Sequence, residues 1–490
     1  MFAPGLHATA EAASDVGSST ALAALWAELG LPREALDAIE LVGSGPVLPS
    51  SFAVATAAQV SIAAAALAAA EVWQLRRGIR QRVTVERTAA TLECSAWFSL
   101  DGRAVEPWEP LSGLYRCGGA PAPGWVRIHA NFAHHRDSAL ALLGLPPGPG
   151  TGRDAVSAAL ASCDAFEFEA RAAAAGAVVA AARTFAQWDA HPQAAAIAAD
   201  PLVTIDRIGD APARPFVHTS GSSPAAGASE RPLAGVRVLD LTRILAGPVA
   251  GRTLAAHGAD VLLVNSPKLP NIAAIADTSR GKRSAHLDLE DAAGRATLGA
   301  LALDADVFVQ GYRPGALAAR GFGAEALAAR APGLVVASLS AYGTSGPWAG
   351  RRGFDSLVQT ATGLNVAEAA AFDSPTPKPL PIQILDLAAG HLLAAGIAAA
   401  LWRQRTQGGS WHVRLTLAGV ARWLRALGRV PDGPQTSAPA LTPFLDAYAT
   451  GFGLLRAPRH SAVFSVTPPR WDRPSMPPGT HAPCWGGAED

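Results

Sequence analysis

Short apolar runs alternate with longer segments of helical periodicity through the second half of the chain. A continuous apolar run between turn residues predicts a buried strand, whereas apolar positions at helical spacing predict a helix packed on a sheet. The predicted strands are Val236–Leu241, Val261–Val264, Val307–Val309 and Leu334–Leu339, and the predicted helices are Val249–His257, Asp291–Leu303 and Ala316–Ala329. This alternation is typical of a parallel, doubly wound sheet, so we predict an α/β fold.

The first half has a mixed pattern. The segment GWVRIHANF predicts a strand and Phe168–Gln187 predicts a long helical stretch, which together indicate a smaller α+β domain. Residues 53–72 are apolar for nearly the length of a membrane span, but they are mostly alanine, are interrupted by Ser61 and are closed by Glu71. We therefore expect a buried helix there and no membrane-spanning segment.

Composition shifts along the chain suggest where its parts divide. The run TSGSSPAAGASER, residues 219–231, lacks periodicity and predicts a flexible linker. After Gly428 the chain is rich in proline, which indicates an extended tail that packs over another surface or stays loose. We predict a partial large-domain segment with a repeat helix, a small α+β domain, the linker, a Rossmann-like domain and a Pro-rich tail, at residues 1–93, 94–216, 217–231, 232–430 and 431–490.

One internal repeat links the two halves. AAALAAAEVWQLRRGIRQRVTVERTAATLE resembles AAGIAAALWRQRTQGGSWHVRLTLAGVAR, with Trp73 matching Trp402 and Val83 matching Val413. Each copy consists of an alanine-rich helix, a basic turn and a strand. A tryptophan, a turn and a strand that match together favour an internal duplication over a chance similarity between alanine-rich helices.

The overall composition excludes several functional classes. Among 490 residues, 49% are hydrophobic, and 40 Lys+Arg balance 40 Asp+Glu. Zero net charge argues against nucleic-acid binding, and the apolar content excludes a disordered chain. The N-terminus lacks a secretory signal, and the absence of any CxxC pair predicts free thiols in a cytoplasmic protein. The cysteines are Cys94, Cys117, Cys163 and Cys484.

Asp386 is the acidic candidate for chemistry. A strand-like apolar run ends at this carboxylate, and an alanine-rich helix begins there. One interpretation is a helix N-cap, which is a structural role. The other is a nucleophile, because the helix dipole would keep the carboxylate ionised and the first turn would hold it rigid. The first copy of the repeat has Ala57 at the equivalent position, so only the second copy carries an acid there.

Three basic or glycine-containing loops are candidates for binding a phosphate-bearing ligand. Residues 242–251 join the first strand of the second half to its first helix, Arg280–Arg283 precede a strand-like run, and Gly311–Gly315 follow a strand. Loops at the carboxyl ends of parallel strands bind ligands, and cations there suit a pyrophosphate or a ribose phosphate. Each loop taken alone is equally consistent with a solvated turn.

Other constellations carry weaker signals. His129, His134 and His135 lack a nearby cysteine or paired acid at metal-ligand spacing, so we predict no metal site. No GxSxG motif indicates a serine hydrolase. Asp240 ends the first strand of the second half and is interpreted as structural.

The second half resembles the class III CoA-transferase family, whose members move coenzyme A between carboxylic acids, and its relatives the 2-methylacyl-CoA racemases. The segments that carry the resemblance are LAGVRVLDLTRILAGPVAGRTLAAHGADVLLV, GKRSAHLDLEDAAGRATLGALALDADVFVQGYRPGAL and PGLVVASLSAYGTSGPWAGRRGFDSLVQTATGL, followed by the Asp386 helix. Residues 48–208 resemble the later part of the same family, in GLYRC, GWVRIHANF and TFAQWDAHPQ. The order is rearranged, so we infer a fusion of two partial copies.

This resemblance implies a Rossmann-like sheet that binds coenzyme A and a catalytic aspartate, Asp386, that forms a covalent aspartyl intermediate. The implied substrates are an acyl-CoA and a carboxylic acid, with no permanently bound cofactor and no membrane or nucleic-acid partner. Family members form interlocked dimers, so either a homodimer or an intrachain pseudo-dimer fits this chain. By position, the implied coenzyme A contacts are Arg243, Ile244, Ala246, Lys282, Arg283, Tyr312, Arg313 and Tyr342.

The sequence departs from the family pattern at positions that bear on the reaction. Leu245 stands where some transferases have an active-site Gln. Phe354 stands where the racemases have a histidine base, which disfavours a racemase that uses a base on each side of the substrate carbon. An acyl-CoA:carboxylate CoA-transferase is our leading hypothesis. The alternatives are a 2-methylacyl-CoA racemase or epimerase, and a non-catalytic CoA-binding paralogue.

Overall fold

The computed structural model describes residues 16–118, 123–214 and 231–486. The predicted linker lies outside the described residues except for Arg231. Within the described ranges the α-helices are α1 Ser18–Leu29, α2 Val54–Arg77, α3 Arg87–Glu93, α4 Ala133–Leu142, α5 Arg153–Leu160, α6 Ala165–Ala174, α7 Phe185–Asp189, α8 Pro192–Ala198, α9 Ala246–Ala256, α10 Ile275–Thr278, α11 Ala292–Leu303, α12 Ala324–Arg330, α13 Asp355–Ala361, α14 Leu364–Ala371, α15 Ile384–Gln407 and α16 Leu417–Ala426.

The strands belong to four sheets in the described part of the chain. In chain order they are β1 Ile39–Val42, β2 Val83–Glu86, β3 Ser99–Leu100, β4 Arg103–Ala104, β5 Gly113–Cys117, β6 Gly124–Ile128, β7 Val179–Ala181, β8 Thr204–Gly209, β9 Arg237–Leu241, β10 Asp260–Asn265, β11 Lys282–His286, β12 Val307–Gln310, β13 Val335–Ser340, β14 Ser410–Thr416, β15 Leu445–Thr450, β16 Gly453–Pro458 and β17 Ala462–Phe464.

The largest sheet in the described residues has the order β11-β10-β9-β12-β13-β14-β8. Strands β9 to β14 are mutually parallel, and β8 is an antiparallel edge strand. The chain runs outward from β9 through β10 and β11, then crosses back to β12 and continues in the other direction. The loops after β9 and β12 therefore diverge and leave a crevice at the carboxyl ends of the strands. The predicted α/β fold with a doubly wound, Rossmann-like sheet is confirmed.

Two predicted helices are broken in the structure. The stretch Ala316–Ala329 is split at Gly321, whose φ is +86°, into a 3-10 turn and α12. The stretch Phe168–Gln187 contains the end of α6, strand β7 and the start of α7, with Gly176 at φ +75° after α6. Alanine has the highest helix propensity, so the alanine-rich composition concealed both breaks.

The repeat predicted from sequence corresponds to a repeated structural unit. Helices α2 and α15 each span 24 residues and pack against each other. Each is followed by a strand that pairs in parallel with an earlier one, β2 with β1 and β14 with β13. Glu86 at the end of β2 and Thr416 at the end of β14 then cap the following helix with their side chains.

Both long helices are apolar enough to cross a membrane by length and composition, yet their apolar segments lie entirely inside the protein. The predicted buried helix at residues 53–72 is thus confirmed as part of α2. All four cysteines are free, as predicted.

The smaller sheets join distant parts of the chain. Strands β5, β6 and β7 form an antiparallel sheet that packs with α4, α5 and α6. The Pro-rich tail is ordered over its described length, and its strands β16 and β17 pair with β3 and β2 of the first half. Strand β8 falls within the range 94–216 but belongs to the large sheet.

Candidate functional site

The predicted coenzyme A contacts that follow β9, β12 and β13 lie at the carboxyl edge of the large sheet. Arg243 lies in the loop after β9, Tyr312 and Arg313 follow β12, and Tyr342 follows β13. Burial raises the pKa of the Tyr312 phenol, and the nearby Arg243 guanidinium opposes that rise. The loops on the two sides of the crevice are therefore close enough to interact electrostatically.

The loop after β9 has an unusual backbone. Ile244 has φ +77°, a left-handed conformation that is unfavourable for a β-branched side chain. Leu245 is the N-cap of α9, and Ala246 is its first residue, buried at 4% exposure. Strained backbone of this kind concentrates at ligand-binding loops. The loop at the crevice therefore leads into the N-terminus of the eleven-residue helix α9.

Helix α15 approaches this N-terminus closely because Gly390 has no side chain. A Cβ added at Gly390 would lie 2.6 Å from the carbonyl oxygen of Ala246 and 2.6 Å from Cβ of Val249. Asp386 precedes Gly390 by one helical turn, so both residues lie on the same face of α15. The glycine thus allows the face that carries Asp386 to pack against the start of α9.

Asp386 is held beside a second carboxyl group. Its backbone N–H donates a hydrogen bond of 2.9 Å to Oδ2 of Asp355, the first residue of α13, while Nε2 of Gln359 donates to Oδ1. Among the described residues, none donates a hydrogen bond to the carboxylate of Asp386, which is 9% exposed. Asp386 lies in the first turn of α15, and the N-cap is Gln383, so the expectation that the helix begins at Asp386 is wrong.

The two carboxyl groups affect each other's ionisation. Burial, followed by repulsion from Asp355, raises the pKa of Asp386 well above its ordinary value. Burial also raises the pKa of Asp355, although hydrogen bonds from the backbone of Asp386 and from Gln359 limit the rise. Two adjacent buried carboxylates cannot both ionise cheaply, so the pair favours a single negative charge. The hydrogen bonds to Asp355 place this charge on Asp355, so Asp386 becomes a nucleophile when its own proton is removed, and its carboxylate is then strongly basic.

The histidine-containing segment after β6 packs beside this pair. The ring of His129 stacks on Phe354, the N-cap of α13, at 3.9 Å between centroids, and His135 lies 5.9 Å from the same ring. Nδ1 of each histidine is buried and has no hydrogen-bond partner among the described residues. Burial is the main cause that lowers the pKa of each ring to about 3, so both are neutral at pH 7.

Three arginines surround the same crevice. The Arg243 guanidinium lies 5.7 Å from the centre of the Phe132 ring. Burial, followed by the positive charge of Arg313, lowers the pKa of Arg352. Arg352 and Arg243 both contribute to the low pKa of His135. The crevice thus carries a concentration of positive charge that suits a phosphate-bearing ligand.

The structure does not bring Lys282 and Arg283 to this crevice, which corrects the positions expected for them as coenzyme A contacts. Lys282 begins β11 and is fully buried, and its ammonium donates to Oδ2 of Asp240 at 2.9 Å and to the carbonyl of Pro248 at 2.8 Å. Arg283 is 1% exposed and pairs with Asp260 at 3.0 Å. Both residues begin β11 at the amino end of the strand, and the Lys282 ammonium points inward to Asp240, near the end of β9, and to Pro248, in the first turn of α9.

Several residues at the site were not singled out by sequence reasoning. Asp355 lay in the segment GFDSLVQ but was considered only as the neighbour of Phe354. Arg352, two residues before Phe354, was not considered, and His129 was evaluated only as a metal ligand. In the described residues, no group of three or more His, Cys, Asp or Glu side chains could hold a metal ion. The signal available for Asp355 was an acidic residue at the start of the largely apolar run DSLVQTATGL.

The segment that contains the crevice and the carboxyl pair is residues 233–439, and it matches the family model described as CoA-transferase family III. This segment belongs to CoA-transferase family III. The CoA-transferase family III segment begins just before β9 and ends after α16, so it includes Arg243, Asp355 and Asp386.

Curated relatives match between 35% and 46% of the chain. A probable fatty acyl-CoA transferase of Mycobacterium tuberculosis is 35% identical over 212 residues, which cover 40% of this chain and 53% of that protein. A succinyl-CoA:glutarate CoA-transferase of Homo sapiens is 33% identical over 184 residues, which cover 35% and 42%. The chain spans 34% to 55% of the length of the curated relatives it matches. A crystal structure of the M. tuberculosis protein has 34% sequence identity, covers 40% of this chain and 58% of that chain, and gives a TM-score of 0.37.

Proposed function

We propose that this chain transfers coenzyme A from an acyl-CoA to a carboxylic acid and that Asp386 is the nucleophile. The observation that carries the proposal is the carboxylate of Asp386, which is nearly buried and receives no hydrogen bond from the described residues. It also lies on the face of α15 that packs on the N-terminus of α9. The relatives named as CoA-transferases support the same class of reaction.

The proposed reaction begins when a carboxylate oxygen of Asp386 attacks the thioester carbonyl. The C–S bond breaks, coenzyme A leaves as a thiolate, and an aspartyl–acyl anhydride remains. The thiolate then attacks the aspartyl carbonyl, which releases the first carboxylic acid and leaves an aspartyl–CoA thioester. The acceptor carboxylate attacks this thioester and releases the thiolate again. Attack of the thiolate on the acceptor carbonyl forms the new acyl-CoA and restores Asp386.

Other residues would bind coenzyme A, position Asp386 and stabilise the charge that develops during the reaction. Arg243, Arg313 and Tyr312 would bind the phosphate-bearing part of coenzyme A at the crevice. Asp355 is a positioning residue, because it fixes the backbone of Asp386 and raises the basicity of its carboxylate. The backbone N–H groups at the start of α9 would stabilise negative charge that develops on the thioester oxygen. Ile244, Ala246 and Tyr342 remain proposed contacts to coenzyme A.

A trapping experiment tests the covalent step. The protein is incubated with a panel of acyl-CoA donors, quenched with borohydride or hydroxylamine, and analysed by intact mass and peptide mapping. Borohydride reduces an aspartyl thioester to homoserine, so the expected result is this change confined to Asp386. Asp386→Asn should give no adduct, and Asp304→Asn, an exposed acid after α11, should behave as the wild type. Coenzyme A binding without any adduct would contradict the proposal.

The alternative functions predict different results in the same preparation. A racemase would exchange the α-proton of a 2-methylacyl-CoA in deuterated water without an acceptor acid. Phe354 offers no proton acceptor, so we expect no exchange above that of Asp386→Asn. A non-catalytic paralogue would bind coenzyme A and show neither exchange nor an adduct.

We further propose that one chain forms one catalytic unit. Helix α2 packs along α15 as its counterpart in the repeat, and it carries Ala57 where α15 carries Asp386. The backbone N–H of Ser51, just before α2, donates to Oε2 of the buried Glu368 at 3.0 Å. The residue that leads into α2 is therefore held by a hydrogen bond to the second half of the chain. We expect one trapped aspartate per chain and full activity in a monomer, measured by light scattering on an active fraction.

We also propose that an acyl-CoA and a carboxylic acid are the substrates and that no cofactor stays bound between turnovers. Activity in the cytoplasm agrees with the free cysteines.

A further inference from the structure

A cleft of about 490 Å³ lies between α6, the end of β7 and the loop that leads from β13 to α13. Its walls include two guanidinium groups, an indole, an imidazole, a carboxylate and, at the mouth, a phenyl ring that is 41% exposed. These side chains are Arg183, Arg351, Trp348, His191, Glu169 and Phe166. None of them was singled out from the sequence.

The charged groups of the cleft do not balance. Arg183 is 6% exposed and forms a two-point ion pair with Glu169, in which Nη1 lies 3.0 Å from Oε1. Nη2 of Arg351 lies 3.3 Å from the same Oε1 and donates to the carbonyl of Val179 at 3.1 Å. One carboxylate thus pairs with two guanidinium groups, and the cleft keeps a net positive charge. Within the described residues, no acceptor is found for Nη1 and Nε of Arg351.

The other polar groups of the cleft are also donors. The indole N–H of Trp348 has no acceptor in the described part of the chain. Nδ1 of His191 accepts a hydrogen bond of 3.1 Å from the backbone of Gln193, which assigns the proton of the neutral ring to Nε2. Burial, followed by the charge of Arg183, lowers the pKa of His191 and favours this neutral form. Side chains of three types that carry hydrogen-bond donors therefore line one cleft, and its carboxylate is already paired with arginine.

The indole is fixed in place. Both guanidinium groups lie close to the ring of Trp348, at 4.1 Å for Arg351 and 5.0 Å for Arg183, measured to the ring centre. The buried side chain of Gln193 accepts from the backbone N–H of Trp348 at 2.7 Å and donates to the carbonyl of Tyr342 at 2.8 Å. The donors of the cleft are thus held in place before a ligand arrives, which reduces the entropy lost on binding.

The cleft and the carboxyl pair share one loop. The ring of Trp348 meets Tyr342 edge-on at 4.9 Å between centroids. The ring of Tyr342 in turn packs on Gly353, where an added Cβ would lie 2.9 Å from Cε2. Asp355, the hydrogen-bond partner of Asp386, follows two residues later. The loop therefore links the cleft to the proposed nucleophile through Tyr342 and Asp355.

We propose that this cleft binds the carboxylate of a small organic acid. Guanidinium groups form charge-assisted hydrogen bonds to carboxylates, and Nε and Nη1 of Arg351 each keep a donor that has no acceptor in the described residues. The indole and imidazole N–H groups can donate to the same oxygens. The assignment of this acid as the one that accepts coenzyme A rests on the proposed function, because that reaction consumes a free carboxylic acid.

Calorimetric titration of the full chain with acetate, glutarate and inorganic phosphate, without coenzyme A and at constant ionic strength, tests this proposal. We expect the carboxylates to bind more tightly than phosphate. Arg351→Gln leaves the pair between Arg183 and Glu169 intact and should weaken carboxylate binding about tenfold, since it removes a charge-assisted bond. Trp348→Phe keeps the ring and should weaken binding by a smaller factor. The matched control is Arg171→Gln, an exposed arginine on α6, which should bind as the wild type does.

A second measurement locates the ligand in the wild-type protein. Phenylglyoxal modifies accessible arginines, and peptide mapping should show that glutarate protects Arg351 but not Arg171. Asp386→Asn should abolish transfer and leave glutarate binding unchanged, which separates this proposal from the proposed reaction. The proposal is overturned if no carboxylate binds, if Arg351→Gln binds equally well, if phosphate binds as tightly as the carboxylates, if Arg351 is not protected, or if Asp386→Asn abolishes binding.

Discussion

The backbone N–H of Asp386 donates to Oδ2 of Asp355 at 2.9 Å, which joins the first turn of α15 to the first residue of α13. This bond uses an orphan N–H at a helix start and places a second carboxyl group beside the proposed nucleophile. Both groups are buried, and the neighbouring charge of Asp355 disfavours the ionised form of Asp386. The same contact therefore provides a helix cap, sets the position of Asp386 and tunes its basicity.

Replacing Asp355 tests this tuning. Asp355→Asn keeps an oxygen that can accept the N–H of Asp386 but removes the neighbouring negative charge, so the pKa of Asp386 should fall. Because the ionised carboxylate is the nucleophile, activity should rise with pH through this pKa, and the rise should move to lower pH in the variant. The measurement is the pH dependence of kcat/KM for transfer. A profile identical to that of the wild type would refute the coupling of the two groups.

The close approach of α9 and α15 predicts an effect of adding a methyl group. Gly390→Ala places a Cβ 2.6 Å from the carbonyl oxygen of Ala246, so it should lower the free energy of unfolding by about 1–3 kcal/mol and weaken coenzyme A binding. Gly299→Ala is the matched control, because Gly299 also lies in a helix and an added Cβ there has no atom within 4 Å. It should stabilise the protein by up to about 1 kcal/mol. Urea unfolding measures the free energy of unfolding, and calorimetric titration measures the affinity for coenzyme A.

Substitutions of Lys282 and Arg313 should have different effects, because the first should lower folding stability and the second should weaken coenzyme A binding. Lys282→Met leaves the buried carboxylate of Asp240 without its ion-pair partner, which should cost about 3–5 kcal/mol of folding stability. Arg313→Gln alters an exposed residue at the crevice, so it should leave the melting temperature nearly unchanged and weaken coenzyme A binding several-fold at low salt. Thermal unfolding and titration with coenzyme A are compared for both variants. Unchanged stability in Lys282→Met would argue against the structural role of this lysine.

Glu93 predicts a stability difference that depends on pH. Ser461 donates two hydrogen bonds to its carboxylate, at 2.8 and 2.7 Å from the backbone nitrogen and the hydroxyl. Burial opposes ionisation, but His460, His391, Arg252 and Ser461 together lower the pKa of Glu93 to about 2. A lowered carboxyl pKa stabilises the folded state above the ordinary value of 4.5, and this stability is lost as the pH falls towards about 2.

Glu93→Gln should therefore cost about 1–3 kcal/mol at pH 7, as expected for the loss of a hydrogen-bonded charge, and the difference from the wild type should shrink below about pH 4.5. The measurement is the free energy of unfolding between pH 3 and pH 7. Glu40→Gln, at an exposed position of β1, is the control and should show little change. A cost for Glu93→Gln that stays constant across this range would exclude an ionised Glu93 as its source.

Local sequence patterns were sufficient to predict four strands of the large sheet. The apolar runs that became β9, β10, β12 and β13 were recognisable because strands buried on both faces are continuous in hydrophobicity. The repeat around Trp73 and Trp402 was recognisable because matched helices and strands keep their spacing. The break at Gly176 was missed because alanine favours helix on both sides of it, and only the pairing of β7 with β6 decides that those residues are extended.

The sequence by itself determined the α/β class, the family resemblance of the second half and the choice of Asp386, since each of these rests on order and spacing along the chain. Only the tertiary structure decided which charged side chains reach the crevice. Lys282 and Arg283 carry the same formal charge as Arg243 and Arg313, but they begin β11 at the amino end of the strand and their charges are paired with Asp240 and Asp260 inside the protein. Asp355, His129 and Trp348 acquire their neighbours from segments far away in sequence, and such proximity depends on packing that local spacing does not encode.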